Sequence, residues 1–421
     1  FVVPSRLHPG KFYGLPQSPQ QLKQILMVSG VDRYFQFARC FRDEDLRADR
    51  QPEHTQLDLE MSFAHQSDVL DLLEGLYTRV VNKAAPEKTV ITPFPRLTYN
   101  EAMEKYATDK PDLRFGMEVA TLTDAARESG FAVFKKVADS GGIVRAIAAP
   151  GCASYTRKQT DELIEFARSS GAQGLVPVHI SEGPTSIEDI NEDDVRSVIK
   201  SHVSTDTIKQ FARQTGAQPG DLILIIAGPP KVVNVAISNL RNEMGKRLEL
   251  ADPEVFSFAF VTDFPLFEWD DEAGGWTAMH HVFSSPRPGD EEYLDSDPGK
   301  VVGQLYDLVC NGVELGSGSV RIHDPELQQR MFRLIGYSEA DIEERFGHLL
   351  RAFEYGTPPH AGMGLGLDRV VMLLAGEDSL REVIAFPKTQ AGIDPLFDAP
   401  GAITEEQLKE LSIRVAESGR T

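Results

Sequence analysis

The sequence predicts an α+β protein of antiparallel strands and helices, interrupted by a separate α/β insert. Three observations carry this. Two alternating runs, Tyr34–Arg42 and Gln56–Phe63, have the period of two expected of half-buried antiparallel strands. The run YDLVC-NG-VELG sets Asn311 and Gly312 between two apolar stretches, the pattern of a two-residue hairpin turn. Between Asp112 and Leu250 the character changes to short β-rich runs alternating with amphipathic helices. The expected domains are residues 1–111, 112–250 and 251–421. A length of 421 residues suits two or three domains of about 150 residues each.

The elements follow in order. Helical patterns cover Gln20–Val28 and Ser67–Lys83. In the first strand Phe35, Phe37 and Phe41 share one face. In the second, Leu57, Leu59, Met61 and Phe63 are expected inward and Gln56, Asp58 and Glu60 outward. The insert is expected to hold β-rich runs at Phe131–Val137, Gly142–Ala149, Gly174–Ile180 and Leu222–Ala227, with a helix at Lys158–Ser169. Ser338 with Asp341 three residues on starts a helix whose apolar stripe is Ile342, Phe346, Leu349, Leu350 and Phe353, and Gly356 stops it. Thr404 and Gln407 open a last helix after the Pro/Gly/Asp-rich link 392–401.

Lys and Arg number 43 against 64 Asp and Glu, a net charge of −21. This argues against non-specific nucleic-acid binding over the whole surface, while leaving room for a local cationic site. No apolar run approaches the ~18 residues a membrane span needs, so no membrane partner is expected. Cys40, Cys152 and Cys310 lie far apart with no C-x-x-C pair, which points to a reducing cytoplasm rather than a disulfide framework or zinc site. The chain opens on Phe1 within what reads as mid-domain sequence, so a further piece upstream is expected.

Four features carry candidate chemistry. The charged stretch Asp43–Thr55 is long for a hairpin loop. There Arg42, at a strand end beside Glu44, Arg50 and Gln51, would grip a phosphate, while Gln56 and Asp58 hold polar groups of a ligand; a solvated hairpin tip is the alternative. On the Asn-Gly hairpin, Asp307 and Glu314 become diagonal neighbours on one face, with backbones about 7–8 Å apart. Mg²⁺ with a nucleotide would bridge them, and an exposed acidic face is the alternative. Arg321 follows through the flexible Gly316–Ser319. In GMGLGLDR, Gly362, Gly364 and Gly366 clear one strand face for a flat ligand or a helix, and tight backbone packing is the alternative. Arg369 then sits in the first turn of a helix, against the helix dipole. His280 and His281 are adjacent, so at most one faces a shared site and zinc is disfavoured. Gln20 and Lys23 lie about one turn apart on a helix, where a lysine is commonly just solvated.

Taken together these segments resemble a known family. FRDEDLRADRQPEHTQLDLEMSF is similar to motif 2 of class II aminoacyl-tRNA synthetases, and GMGLGLDR to motif 3. LPQSPQQLKQ, TDKPDLRFG, TAMHH, NGVELGSGSVRIHDP, YGTPPHAG and VIAFPKTQAG resemble the bacterial-type aspartyl enzymes. The resemblance covers essentially the whole chain. It implies an antiparallel sheet flanked by helices, split by a GAD insertion domain, with 1–111 and 251–421 as two parts of one catalytic domain. It implies ATP-dependent activation of L-aspartate and transfer to tRNA(Asp), with tRNA(Asn) as a possible second acceptor, in a cytoplasmic homodimer.

The resemblance also implies residue roles. Arg42 would bind the α-phosphate and the amino-acid carboxylate, and Arg369 the γ-phosphate. Asp43, Glu44, Gln51, Glu314, Gly366, Leu367 and Asp368 complete an ATP site, with Glu44 and Gln51 at the adenine end. Asp307 and Glu314 would hold Mg²⁺. Lys23 and Arg321 would pair with the substrate side-chain carboxylate, and Gln20 and Asp58 would receive its ammonium. His280 and His281 would line the same pocket. Motif 1 and an N-terminal anticodon-binding domain have no counterpart here. Val282 stands where the family has Pro, and GSGS where it has GGGS.

Overall fold

Both alternating runs form strands. In the computed structural model, which describes residues 1–44 and 48–416, Arg33–Phe41 pairs antiparallel with Glu53–Ser62. Residues 45–47 of the charged loop lie outside the described part. The chain divides into two compact units: Phe1–Lys88, Phe264–Leu308 and Glu314–Thr421 form the first, and Thr89–Asp263 with Val309–Val313 the second.

In the first unit the strand Glu53–Ser62 lies between Arg33–Phe41 and His360–Gly366. Val313–Val320 follows on the far side of the glycine-rich strand and Leu305–Cys310 lies beyond it. The last two strands are joined by Asn311-Gly312, whose φ values of 51° and 83° are the left-handed pair that a type I′ turn requires. The helix Gln20–Val28 forms over the expected residues. Glu339–Phe353 starts at the Ser338–Asp341 capping box and buries Ile342, Phe346, Leu349, Leu350 and Phe353. The C-terminal helix Glu405–Glu410 likewise opens on Thr404 and Gln407.

Leu59 is buried as expected, but the polar face of the second strand is buried too. Phe35 and Phe37 are 71% and 59% exposed, whereas Asp58 and Glu60, expected outward, are 2% and 0% exposed. Apolar periodicity assumes that the polar face is the wet one. Here buried cations from elsewhere neutralise that face, so it can be buried instead.

The second unit holds a five-stranded antiparallel sheet in the order Val195–Ser197, Val176–Ile180, Leu222–Gly228, Ile143–Ala149, Ala120–Thr121. Its central strand is apolar throughout because both faces are covered: Ile223 and Ile225 pack with Phe134 and Phe211, and Leu222, Leu224 and Ile226 with Leu163 and Leu240. Phe131–Val137, expected as a β-rich run, is instead part of the helix Ala132–Asp139. Phe134 and Ala138 are four residues apart and both buried, so helical spacing overrides the β-branched content. Arg96–Thr98 pairs in parallel with Phe258–Thr262, and Thr98 also caps the helix Tyr99–Tyr106.

Candidate functional site

The helix Gln20–Val28 places Lys23 one turn after Gln20, and Lys23 is 1% exposed rather than solvated. Its ammonium lies 3.2 Å from Asp58 Oδ1 and 3.2 Å from Glu60 Oε2, and donates to the carbonyls of Leu59 and Met363. Arg321, also 1% exposed, donates from Nε to Glu60 Oε1 at 2.9 Å and from Nη2 to Glu60 Oε2 at 3.4 Å. Its Nη1 reaches Ser319 Oγ at 2.8 Å and His281 Nε2. Two cations and two carboxylates thus form one buried, formally balanced cluster.

The glycines of His360–Gly366 make room for it. Gly362 lies opposite Glu60 and Gly364 opposite Asp58. A Cβ on Gly362 would meet Glu60 Oε2 at 2.1 Å, and one on Gly364 would meet Asp58 Oδ1 at 3.2 Å. The cleared strand face therefore takes the carboxylates of the neighbouring strand. Gly316 and Gly318 bring the next strand close, since a Cβ there would sit 2.2 Å and 2.4 Å from the Gly364 and Gly362 carbonyl oxygens.

Electrostatics separate the two carboxylates. Burial raises Glu60, but Arg321 and Lys23 together outweigh it and hold Glu60 below the usual glutamate value. Burial pushes Asp58 above the usual aspartate value; Lys23 offsets this only in part and the Glu60 charge adds to it. Asp58 Oδ2 is buried with no hydrogen-bond partner, and so is the Gln20 amide nitrogen. An anionic oxygen without a donor marks a place for a cationic group of a ligand.

The two histidines take different partners. His281 Nε2 faces the Arg321 guanidinium, which can only donate, and its Nδ1 lies 3.3 Å from the Phe283 amide nitrogen and 3.2 Å from Ser284 Oγ. Burial first, then Arg321, keeps its pKa well below the ordinary histidine value. His280 instead packs on the Phe264 ring and lies 3.7 Å from Asp307 Oδ1.

Glu314 lies 3.6 Å from Arg369 Nη1, and the same nitrogen donates to the Glu314 carbonyl at 2.6 Å. Arg369, in the first turn of Leu367–Ala375, also faces Asp49 at 3.7 Å. Asp368 accepts from the Thr55 amide at 2.9 Å, tying the start of this helix, with Gly366 and Leu367, to the strand that leaves the charged loop. Arg42 is half-buried and donates from Nε to the Gln17 carbonyl, and Asp43 is exposed. Glu44 pairs with Arg50 at 2.7 Å. The Gln51 side-chain amide is spent on the Lys388 backbone. Among the described residues no three His, Cys, Asp or Glu side chains converge as a metal cluster.

Glu60, Ser319, His360 and Gln24 were not singled out in the sequence. His360 Nδ1 donates to the Pro358 carbonyl and its Nε2 faces the Gln24 amide at 3.3 Å, a neutral layer behind Glu60. The signal for Glu60 was its place two residues from Asp58, opposite alternating glycines.

Residues 1–390 match the family described as tRNA synthetases class II (D, K and N). The aspartate–tRNA(Asp/Asn) ligase of Dehalococcoides mccartyi (strain CBDB1) is 52% identical over 415 residues, covering 99% of this chain and 69% of that protein. The aspartate–tRNA(Asp/Asn) ligase of Rubrobacter xylanophilus is 51% identical, covering 98% of this chain and 67% of that protein. The aspartate–tRNA ligase of Ruminiclostridium cellulolyticum is 49% identical, covering 99% of this chain and 68% of that protein. Among solved structures, the aspartyl-tRNA synthetase from Entamoeba histolytica has 19% identity and a TM-score of 0.45, over 90% of this chain and 52% of that one. With nearly its whole length matched, the chain belongs to the class II tRNA synthetase family.

Proposed function

We propose that this chain carries the catalytic part of an aspartate–tRNA ligase. The observation that supports it best is the buried Lys23–Asp58–Glu60–Arg321 cluster with one unpartnered carboxylate oxygen. A Lys and an Arg suit the substrate side-chain carboxylate, and asparagine's amide would turn donors toward both cations. Asp58 Oδ2, with Gln20, suits the ammonium. His281, held neutral, accepts from Arg321 and orients its guanidinium, and His280 lines the neighbouring wall.

In the first step the substrate α-carboxylate attacks the α-phosphate of ATP. A carboxylate–phosphorus bond forms, the bond to the β-phosphate oxygen breaks, and pyrophosphate leaves. Arg42 would hold the α-phosphate and the carboxylate together, Arg369 the γ-phosphate, and the loop carrying Asp43, Glu44 and Gln51 the adenine end. In the second step the terminal ribose of tRNA(Asp) attacks the adenylate carbonyl and AMP leaves. Catalysis here is positioning and charge stabilisation. Asp307 and Glu314 offer the hard oxygens that Mg²⁺ prefers, and one or two carboxylates plus substrate phosphates are its usual ligand set. When bound, Mg²⁺ would neutralise charge on the phosphates.

We place the reaction in the cytoplasm, with the full-length protein a homodimer. Among the described residues no helix is long and apolar enough to cross a membrane. The names of two of the relatives favour tRNA(Asn) as a second acceptor. Amino-acid-dependent ATP–pyrophosphate exchange with the full-length protein tests the reading: aspartate should support exchange, and exchange with asparagine but not aspartate would refute it. Charging of tRNA(Asp) and tRNA(Asn) transcripts then settles the acceptor.

A further inference from the structure

The return limb of the charged loop is fastened from outside the loop. Leu380 N–H donates to the Ala48 carbonyl at 3.0 Å, and Arg369 faces Asp49. Gln51, 7% exposed, uses its side-chain amide as a substitute strand partner. Its Nε2 donates to the Lys388 carbonyl at 3.2 Å, and its Oε1 accepts from the Lys388 N–H at 2.8 Å. The Lys388 backbone is held in turn by its own side chain. Lys388 Nζ donates to Asp394 Oδ2 at 2.9 Å, and Asp394 Oδ1 accepts from the amides of Leu396 and Phe397 at 2.9 and 3.1 Å. Asp394 is 4% exposed, and its N–H donates to the Ala399 carbonyl at 2.7 Å. Every polar atom of the Asp394 side chain is therefore engaged in closing one turn around Lys388.

From these contacts we infer that Lys388 and Asp394 are positioning residues for the nucleotide, acting through Gln51. The path is continuous: Asp394 fixes Lys388, Lys388 fixes Gln51, and Arg50, the residue before Gln51, holds Glu44 at 2.7 Å. Loosening the turn frees the adenine end of the site and leaves the Lys23–Arg321 cluster untouched. The inference rests on the ATP site of the proposed function.

Equilibrium dialysis with labelled ATP, without amino acid, tests it on the full-length protein. Lys388→Met and Asp394→Asn should each weaken ATP binding about tenfold, and Lys388→Arg should restore most of it. In pyrophosphate exchange the KM for ATP should rise by the same factor, with the KM for aspartate within twofold of wild type. That unchanged KM also shows that the variants are folded. Unchanged ATP affinity, equal loss for both substrates, or Lys388→Arg as poor as Lys388→Met would overturn the inference. A wild-type protein that binds ATP but shows no aspartate-dependent exchange would instead refute the aspartate reading, and the dialysis would still decide the role of Lys388.

Discussion

Asp58→Asn tests ligand recognition at the unpartnered carboxylate oxygen. The aspartate carboxylate gives Oδ1 to Lys23 and leaves Oδ2 buried and unpaired. If asparagine keeps its oxygen on Lys23, its amide nitrogen takes the Oδ2 position and turns a donor toward the substrate ammonium. A hydrogen bond to a charged group contributes about 1.5–3 kcal/mol. At 1.4 kcal/mol per factor of ten, the KM for aspartate should rise roughly 10- to 150-fold. Stability should fall as well, because the variant removes one of the two carboxylates beside the buried Lys23 ammonium. The burial that raises the Asp58 pKa offsets part of that cost, since the fold already disfavours the ionised side chain. Exchange kinetics with succinate as competitive inhibitor give the decisive assay, because succinate is aspartate without its amino group. Succinate should inhibit wild type and variant about equally. In wild type, aspartate affinity should fall as pH drops through the raised Asp58 value, and that limb should vanish in the variant. Equal losses for aspartate and succinate would refute the reasoning.

Further variants test other parts of the cluster. Glu60→Gln leaves Lys23 and Arg321 buried with one negative charge too few, at a cost of about 3–5 kcal/mol; an unchanged urea midpoint would contradict this. Because Glu60 is depressed, its contribution is present above the ordinary glutamate value and lost as pH falls through the lowered one, so the variant should also flatten the acid limb of stability. Arg321→Leu should abolish aspartate binding while ATP binding, measured by dialysis, stays near wild type; equal loss of both would show that the role is misassigned. Asp307→Asn combined with Glu314→Gln should shift the Mg²⁺ titration of adenylate formation to higher concentration, and an unaltered titration would remove both from the metal site.

Local chemistry made most elements legible. The capping boxes at Ser338 and Thr404 and the Asn311-Gly312 turn are decided within a few residues of chain, and each appears where its pattern lies. Phe131–Val137 was misread because Phe and Val favour strands in isolation, while the burial of Phe134 and Ala138 is decided by packing in the second unit. The parallel pairing of Arg96–Thr98 with Phe258–Thr262 joins residues some 160 positions apart, and no window of sequence reports it.

The site shows a different limit. Lys23 read as a solvated helix lysine and Glu60 as an outward strand residue, because each was judged by its own element. Their burial is a property of the set. Neither cation could be buried without Asp58 and Glu60, and neither carboxylate without the cations, since an isolated buried charge costs several kcal/mol. The glycines of the neighbouring strand are the part of this set that leaves a sequence trace. A period-two run of Gly362, Gly364 and Gly366 removes side chains from one face only, and the residues opposite two of them are the two carboxylates. Alternating glycines beside an alternating acidic strand therefore mark a place where the polar face is buried too. A net charge of −21 is compatible with such a site, because the cluster is balanced within itself. The cations that matter are few and enclosed, and their strength comes from low dielectric and fixed partners rather than from the surface average.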